Sequence, residues 1–198
     1  NSNIKVAAIG TGLNFDQLFL NNQQQILARY PNYNSKVAIL NGYSTYADVF
    51  SKSRVAKWKT PTVGDVRALH CSAWGGESYK IASVSNGNVS LSWVGDNNRG
   101  NCIDNSHLLV ENIFEELDSP GEWFYNKTTG NLYFWPPAGT NLTTAKFETA
   151  SLNELIHVGG TSSASPVRYL TFSGFTFTEA HRTLFDTPYE GLQLGDWS

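Results

Sequence analysis

Two short aromatic runs face each other across a turn: Phe124-Tyr125, then Asn126-Lys127-Thr128-Thr129-Gly130, then Leu132-Tyr133-Phe134-Trp135. No helical period fits this stretch, whereas two strands around a glycine-ended turn do. Pro136-Pro137 stops the second strand, because proline has no amide to give to a ladder. The hairpin commits this part of the chain to a sheet. Acidic residues crowd its approach, from Glu111 through Glu115, Glu116 and Asp118 to Glu122. Carboxylates beside aromatic faces suit a sugar, offering acceptors for hydroxyls and flat apolar surfaces for ring C–H groups. They also occur in any loop-rich β domain.

The rest of the chain agrees with a β protein. At 198 residues it makes one large domain or two small ones. Aromatic residues reach 13% while charged residues stay at 16%, a balance that opposes disorder. The net charge of -3 offers nucleic acid no basic surface. No apolar stretch is long enough to span a bilayer. The two cysteines, Cys71 and Cys102, form no CxxC motif. They make a disulfide if the fold brings their Cα atoms within about 7 Å, and are otherwise buried thiols. Three glycosylation sequons stand at Asn88-Val89-Ser90, Asn126-Lys127-Thr128 and Asn141-Leu142-Thr143.

Residues 4–9 read as a strand, and residues 17–20 and 24–28 as a hairpin around Asn21-Asn22. Gly10-Thr11-Gly12 lacks the third glycine and the helix of a dinucleotide fingerprint. Residues 44–58 are the best helix candidate, with Ser44 or Thr45 to cap the start and Thr60-Pro61 to end it. Residues 66–71, 79–84, 89–94, 108–114 and 145–148 read as strands, with Asn86-Gly87 a tight turn between the second and third. The pattern changes after residue 150. Residues 154–158, a small-residue turn and the alternating run 167–178 look like successive rungs of a parallel β-helix. About three repeats are needed to bury a solenoid core, so the chain is expected to be a piece of something longer.

Several runs, in this order, carry a resemblance. They are Asp16-Gln17-Leu18-Phe19-Leu20-Asn21; Leu27-Ala28-Arg29-Tyr30-Pro31-Asn32; Ala68-Leu69-His70 with Trp74-Gly75-Gly76; and Asn97-Asn98-Arg99. Then come Val110-Glu111-Asn112-Ile113-Phe114-Glu115-Glu116-Leu117-Asp118 with Pro120-Gly121-Glu122-Trp123, and Leu132-Tyr133-Phe134 with Pro136-Pro137-Ala138-Gly139. Arg182-Thr183, Tyr189-Glu190-Gly191-Leu192 and Gly195-Asp196-Trp197 complete the set. The chain resembles the large right-handed parallel β-helix proteins grouped around glycoside hydrolase family 141. The resemblance implies a small β-rich insertion domain over residues 1–150, barrel- or sandwich-like with one short helix, and the opening rungs of the β-helix over residues 151–198. It implies a secreted, periplasmic or cell-surface setting and a polysaccharide or oligosaccharide partner. It also places the catalytic acid and base on later rungs, beyond this chain.

Glycoside hydrolysis needs two carboxyl groups facing one bond, about 5–5.5 Å apart in retaining enzymes and farther in inverting ones. Candidates are Glu115, Glu116, Asp118, Glu122, Asp186, Glu190 and Asp196. The plainer reading makes Glu115-Glu116-Leu117-Asp118 a solvated turn, and gives Glu122, Glu190 and Asp196 hydrogen bonds to turn backbone. Trp74 and Trp123 are candidate sugar platforms or core packing. His70 and His107 have no HxxxH or HxE partner, so no metal site is expected, and no cofactor either. His157 sits inside a predicted strand. His181-Arg182 line a groove or, more plainly, pair with Asp186.

The leading expectation is a fragment of a secreted glycosidase that shapes one wall of a sugar cleft through Trp74, Glu122, Trp123, Tyr189, Glu190, Asp196 and Trp197. The alternative is a non-catalytic structural or carbohydrate-binding domain that caps the solenoid. A polysaccharide lyase ranks third. Its chemistry needs a Lys or Arg base and often calcium, and no EF-hand-like acidic cluster is present.

Overall fold

The computed structural model describes residues 2–36, 48–73, 75–94, 101–162 and 164–182. Within them run twelve strands: β1 (Lys5–Ala8), β2 (Leu18–Leu20), β3 (Gln23–Gln24), β4 (Ile26–Leu27), β5 (Arg29–Tyr30), β6 (Asp65–His70), β7 (Gly76–Ser85), β8 (Asn88–Val94), β9 (Ile103–Glu111), β10 (Glu122–Asn126), β11 (Asn131–Phe134) and β12 (Phe147–Thr149). They form a four-stranded sheet in the order β1-β11-β10-β4, a three-stranded sheet β12-β2-β3 and a five-stranded sheet β5-β9-β6-β7-β8. The architecture is mainly β, and among the described residues no sheet closes into a barrel.

The aromatic hairpin forms as its sequence dictates. β10 and β11 pair antiparallel with Trp123 opposite Phe134 and Tyr125 opposite Leu132. Alternation splits β10 between two cores. Trp123 and Tyr125 join Phe15, Leu18, Leu27 and Phe134 on one side, while Phe124 packs with Leu117 and Ala28 on the other. Gly130 ends the turn at φ 71, and a Cβ there would lie 2.6 Å from the Gly10 carbonyl carbon. Only glycine fits both demands. β1 then pairs with β11, so the N-terminal strand covers the hairpin's outer edge.

The five-stranded sheet holds the other main core, built from Val66, Ala68, Tyr79, Ile81, Leu108 and Val110 under Val55 and Trp58. Asn86 and Gly87, both at positive φ, make the turn from β7 to β8. The predicted helix is much shorter than its pattern. A single turn, α1, spans Lys52–Val55, with Ser51 extended before it; residues 44–47 lie outside the described residues. The cause is packing. Trp58 must turn inward to donate its indole N–H to Glu116 Oε1 at 2.7 Å. Pro61 then opens a 3-10 turn over Pro61–Val63.

Cys71 and Cys102 are bonded, with Cα atoms 5.3 Å apart. The bond lies just past the His70–Ile103 pair, where the Cys71 amide also reaches the Cys102 carbonyl at 3.1 Å. It closes a loop of 31 residues' separation, which chain-entropy arguments make worth about 3–4 kcal/mol. Replacing both cysteines with serine is expected to lower unfolding free energy by roughly 2–4 kcal/mol in urea titrations.

Residues 150–182 depart from expectation. Neither 154–158 nor 167–178 forms a strand; among the described residues of this segment, one isolated bridge joins Ser162 and Ser165. The apolar residues of the alternating run stand in solvent, with Tyr169 98% and Phe175 70% exposed. The physical reason is local. A strand exists through ladder bonds to a neighbour, and among the described residues these segments have none alongside. His157, expected within a strand, is instead exposed and ion-paired with Glu154 at 3.0 Å.

Candidate functional site

A row of charge crosses the five-stranded sheet. Strand register sets Arg29 opposite Glu111, Glu111 opposite Asp65, and Asp65 opposite Lys80. Directly opposed residues share a face, so four charges line up as plus, minus, minus, plus. Arg29, Asp65 and Glu111 are all buried. Lys80 Nζ sits 2.5 Å from Asp65 Oδ1. Burial pushes the Asp65 carboxyl up to about 6; Lys80 opposes this and Glu111 adds to it. Burial lowers the Arg29 guanidinium from its usual range, against the pull of Glu111. Adjacent buried carboxylates repel, so the centre of the row calls for another cation.

Arg182 supplies it from far along the chain. Its Nε donates to Asp16 Oδ2 at 2.6 Å, Nη2 to the Asp16 carbonyl at 3.2 Å and Nη1 to Glu111 Oε1 at 3.4 Å. Burial alone would weaken this charge, but Glu111 and Asp16 together hold the guanidinium above its usual range. His181 lies beside it, with Nδ1 3.4 Å from Asp16 Oδ1 and its amide bonded to the Leu152 carbonyl at 2.9 Å. The strap formed by 179–182 is thus fastened to the β sheets mainly by charge.

Strap and sheets enclose a cavity of about 240 Å³. Phe15, Trp123 and Tyr125 give it an aromatic wall, and Asn14, Asp16, Asp65, Asn112, Lys127 and Arg182 bring polar groups. Its volume lies just below the roughly 300–1,000 Å³ of pockets for drug-sized ligands. It therefore has room for a ring-sized polar group. Asp16 is held by Arg182 and Asp65 by Lys80. Both carboxylates are therefore held in place by a cation.

The candidates from the sequence separate into groups. Trp123 lines this cavity, but it is 1% exposed and stacked on Phe15 with ring centroids 5.5 Å apart. At that burial it offers no open face for a sugar. Glu122 is buried behind it, and its Oε2 accepts the amides of Asp118 and Ser119 at 2.9 and 3.0 Å. Burial nevertheless pushes its carboxyl up to about 7. Glu116 is not solvated: it is 3% exposed, paired with Arg54, which lies over the Tyr30 ring. Asp118 is exposed and takes a bond from Asn32. His70 Nδ1 accepts the Ser72 amide and His107 pairs with Asp104, both local roles. His181 and Arg182 do line a groove, with Asp16 and Glu111 as their acidic partners. Trp74, Asp186, Tyr189, Glu190, Asp196 and Trp197 lie outside the described residues. Among the described residues, no group of three or more His, Cys, Asp or Glu is arranged to hold a metal ion. Reading the sequence alone passed over Asp16 and Asp65. Strand register sets Asp65 beside Glu111, and tertiary packing brings Arg182 to Asp16 and Glu111.

In overall fold the chain is similar to part of a solved structure titled "Glycoside hydrolase", with a TM-score of 0.54 and 17% identity over 81% of this chain and 31% of that one. The chain thus spans about a third of that protein's length. No protein-family model matches the sequence, and no curated protein does.

Proposed function

We propose that the chain is a fragment of a secreted, periplasmic or cell-surface glycoside hydrolase and forms one wall of its sugar-binding cleft. Residues 1–150 serve as a β-rich insertion and residues 151–198 begin a parallel β-helix. The observation that carries this reading is the cavity under the strap, with its aromatic wall and its anchored carboxylates, in a fold shared with part of a glycoside hydrolase structure. The bare apolar stripe of Leu170, Phe172, Phe175 and Phe177 supports the β-helix half, since further coils of the same polypeptide would pair with it and cover it. Catalytic carboxylates are assigned to those further coils. Trp74, Tyr189, Glu190, Asp196 and Trp197 are proposed as further sugar-contacting side chains.

One observation favours a second reading, a non-catalytic carbohydrate-binding or capping domain: both cavity carboxylates are already engaged by cations. Calorimetric titration with neutral and acidic plant and microbial oligosaccharides tests the shared core of both. Saturable heat with at least one sugar class is expected. Heat with none of them contradicts carbohydrate recognition by this chain.

A further inference from the structure

The outer edge of the five-stranded sheet is β8, and no described strand pairs with its far side. Its sequence, Asn88-Val89-Ser90-Leu91-Ser92-Trp93-Val94, contains neither charge nor proline. Natural edge strands are usually protected by lysine, proline or a covering element, because a bare edge recruits other chains. Among the described residues, the device that protects this edge is a register shift between β7 and β8 at Ile81/Ser83. The strand opens, however, on a sequon. Asn88 and Ser90 are both exposed, while Val89, Leu91 and Trp93 alternate inward onto the sheet's core. The acceptor amide and the hydroxyl that a glycosyltransferase reads therefore share the solvent face. A second sequon has the same accessibility: Asn141 and Thr143 are exposed, and the Thr143 amide bonds to Asn141 Oδ1 at 3.0 Å, turning the carboxamide nitrogen away from the backbone. The Cys71–Cys102 disulfide suits the oxidising compartment in which such transfer occurs.

We infer that Asn88 and Asn141 are N-glycosylation sites and that the glycan on Asn88 shields the open edge of the sheet. In the transfer, Asn88 Nδ2 bonds to C1 of an oligosaccharide carried on a polyisoprenyl diphosphate. The C1–O bond to the diphosphate breaks, the lipid diphosphate leaves, and one amide proton passes to the membrane transferase. The carboxamide oxygen is retained. Solvent-facing sequons are what such a modification requires. A bulky hydrated group at the first residue of an uncharged edge strand hinders another strand from docking there.

The test is secretion of the full chain behind a signal peptide from a eukaryotic host, followed by peptide mass spectrometry after enzymatic deglycosylation. Asn88 and Asn141 are expected to be occupied, each reading as Asp after glycan release. Ser90→Ala, which keeps Asn88 but destroys the sequon, is expected to aggregate at several-fold lower concentration than the wild type. So is folded wild-type protein trimmed to a single sugar by an endoglycosidase, a control that needs no refolding. Secreted, folded chain with Asn88 bare overturns the site. Equal solubility of the trimmed and untrimmed proteins overturns the shielding role.

Discussion

Replacing Arg182 with methionine is expected to destabilise the protein by roughly 2–4 kcal/mol, one of the largest single-residue effects in the chain. Methionine keeps the apolar stem and removes only the guanidinium. What remains is Glu111 directly opposite Asp65, with Asp16 nearby, and only Arg29 and Lys80 to balance them. Removing one partner of a buried ion network leaves charge uncompensated, and that outweighs the modest net worth of the pair itself. Arg182 is 20% exposed, so solvent softens the effect but does not abolish it. Arg182→Lys is expected to recover only part of the loss, because an ammonium cannot reach Asp16 and Glu111 together as a fork does. Asp16→Asn should cost less, since Glu111 still holds the guanidinium. Urea denaturation reads the stability, and limited proteolysis reads release of the strap as faster cutting within residues 151–182. A loss below about 0.5 kcal/mol, the size of an ordinary surface substitution, contradicts the charge-row account.

Stability is also expected to fall as pH rises from about 4 to about 7.5, by on the order of 6 kcal/mol. Glu122 is raised from 4.5 to about 7 by burial, and Asp65 from 3.8 to about 6. A carboxyl whose folded value lies above its unfolded value binds protons more readily when folded. Its contribution is complete below the unfolded value and disappears as pH climbs through the folded one. The window therefore opens near pH 4, with Asp65 spent by about 6 and Glu122 by about 7. Glu122→Gln removes one of the two titrations and should reduce the total fall between pH 4 and 7.5 by about half. Flat stability across that window, or a slope unchanged in the variant, contradicts the assignment to Glu122.

The hairpin at β10 and β11 was legible because each local signal agreed: aromatic runs, a Gly-ended turn and a double proline. The strand runs from Asp65 to Val94 were legible for the same reason, to within a few residues. The helix was over-extended because apolar spacing across residues 44–58 mimics a helical face, whereas Trp58 is inward to meet Glu116. The charge row was invisible. Arg29, Asp65, Lys80 and Glu111 lie far apart in sequence, and only register sets them side by side. Asp16 is part of a run quoted for its family resemblance, yet nothing local announces its pairing with Arg182. Glu122 and Trp123 point to opposite faces of β10, and both are buried because that strand is covered on both sides. The run from Val167 to Thr178 reads as strand, and its apolar residues stand bare because strand structure needs a partner that periodicity alone does not provide.

The central claim is that the cavity between the strap and the sheets receives a sugar. Heteronuclear NMR of the chain, titrated with the oligosaccharide panel, tests it most directly through the Trp123 indole and the Arg182 Nε–H resonances. The account predicts saturable shifts of both with at least one sugar class, and their loss in Asp16→Asn. Sugar-induced shifts confined to residues away from Phe15, Trp123 and Arg182, or none with any sugar, contradict it.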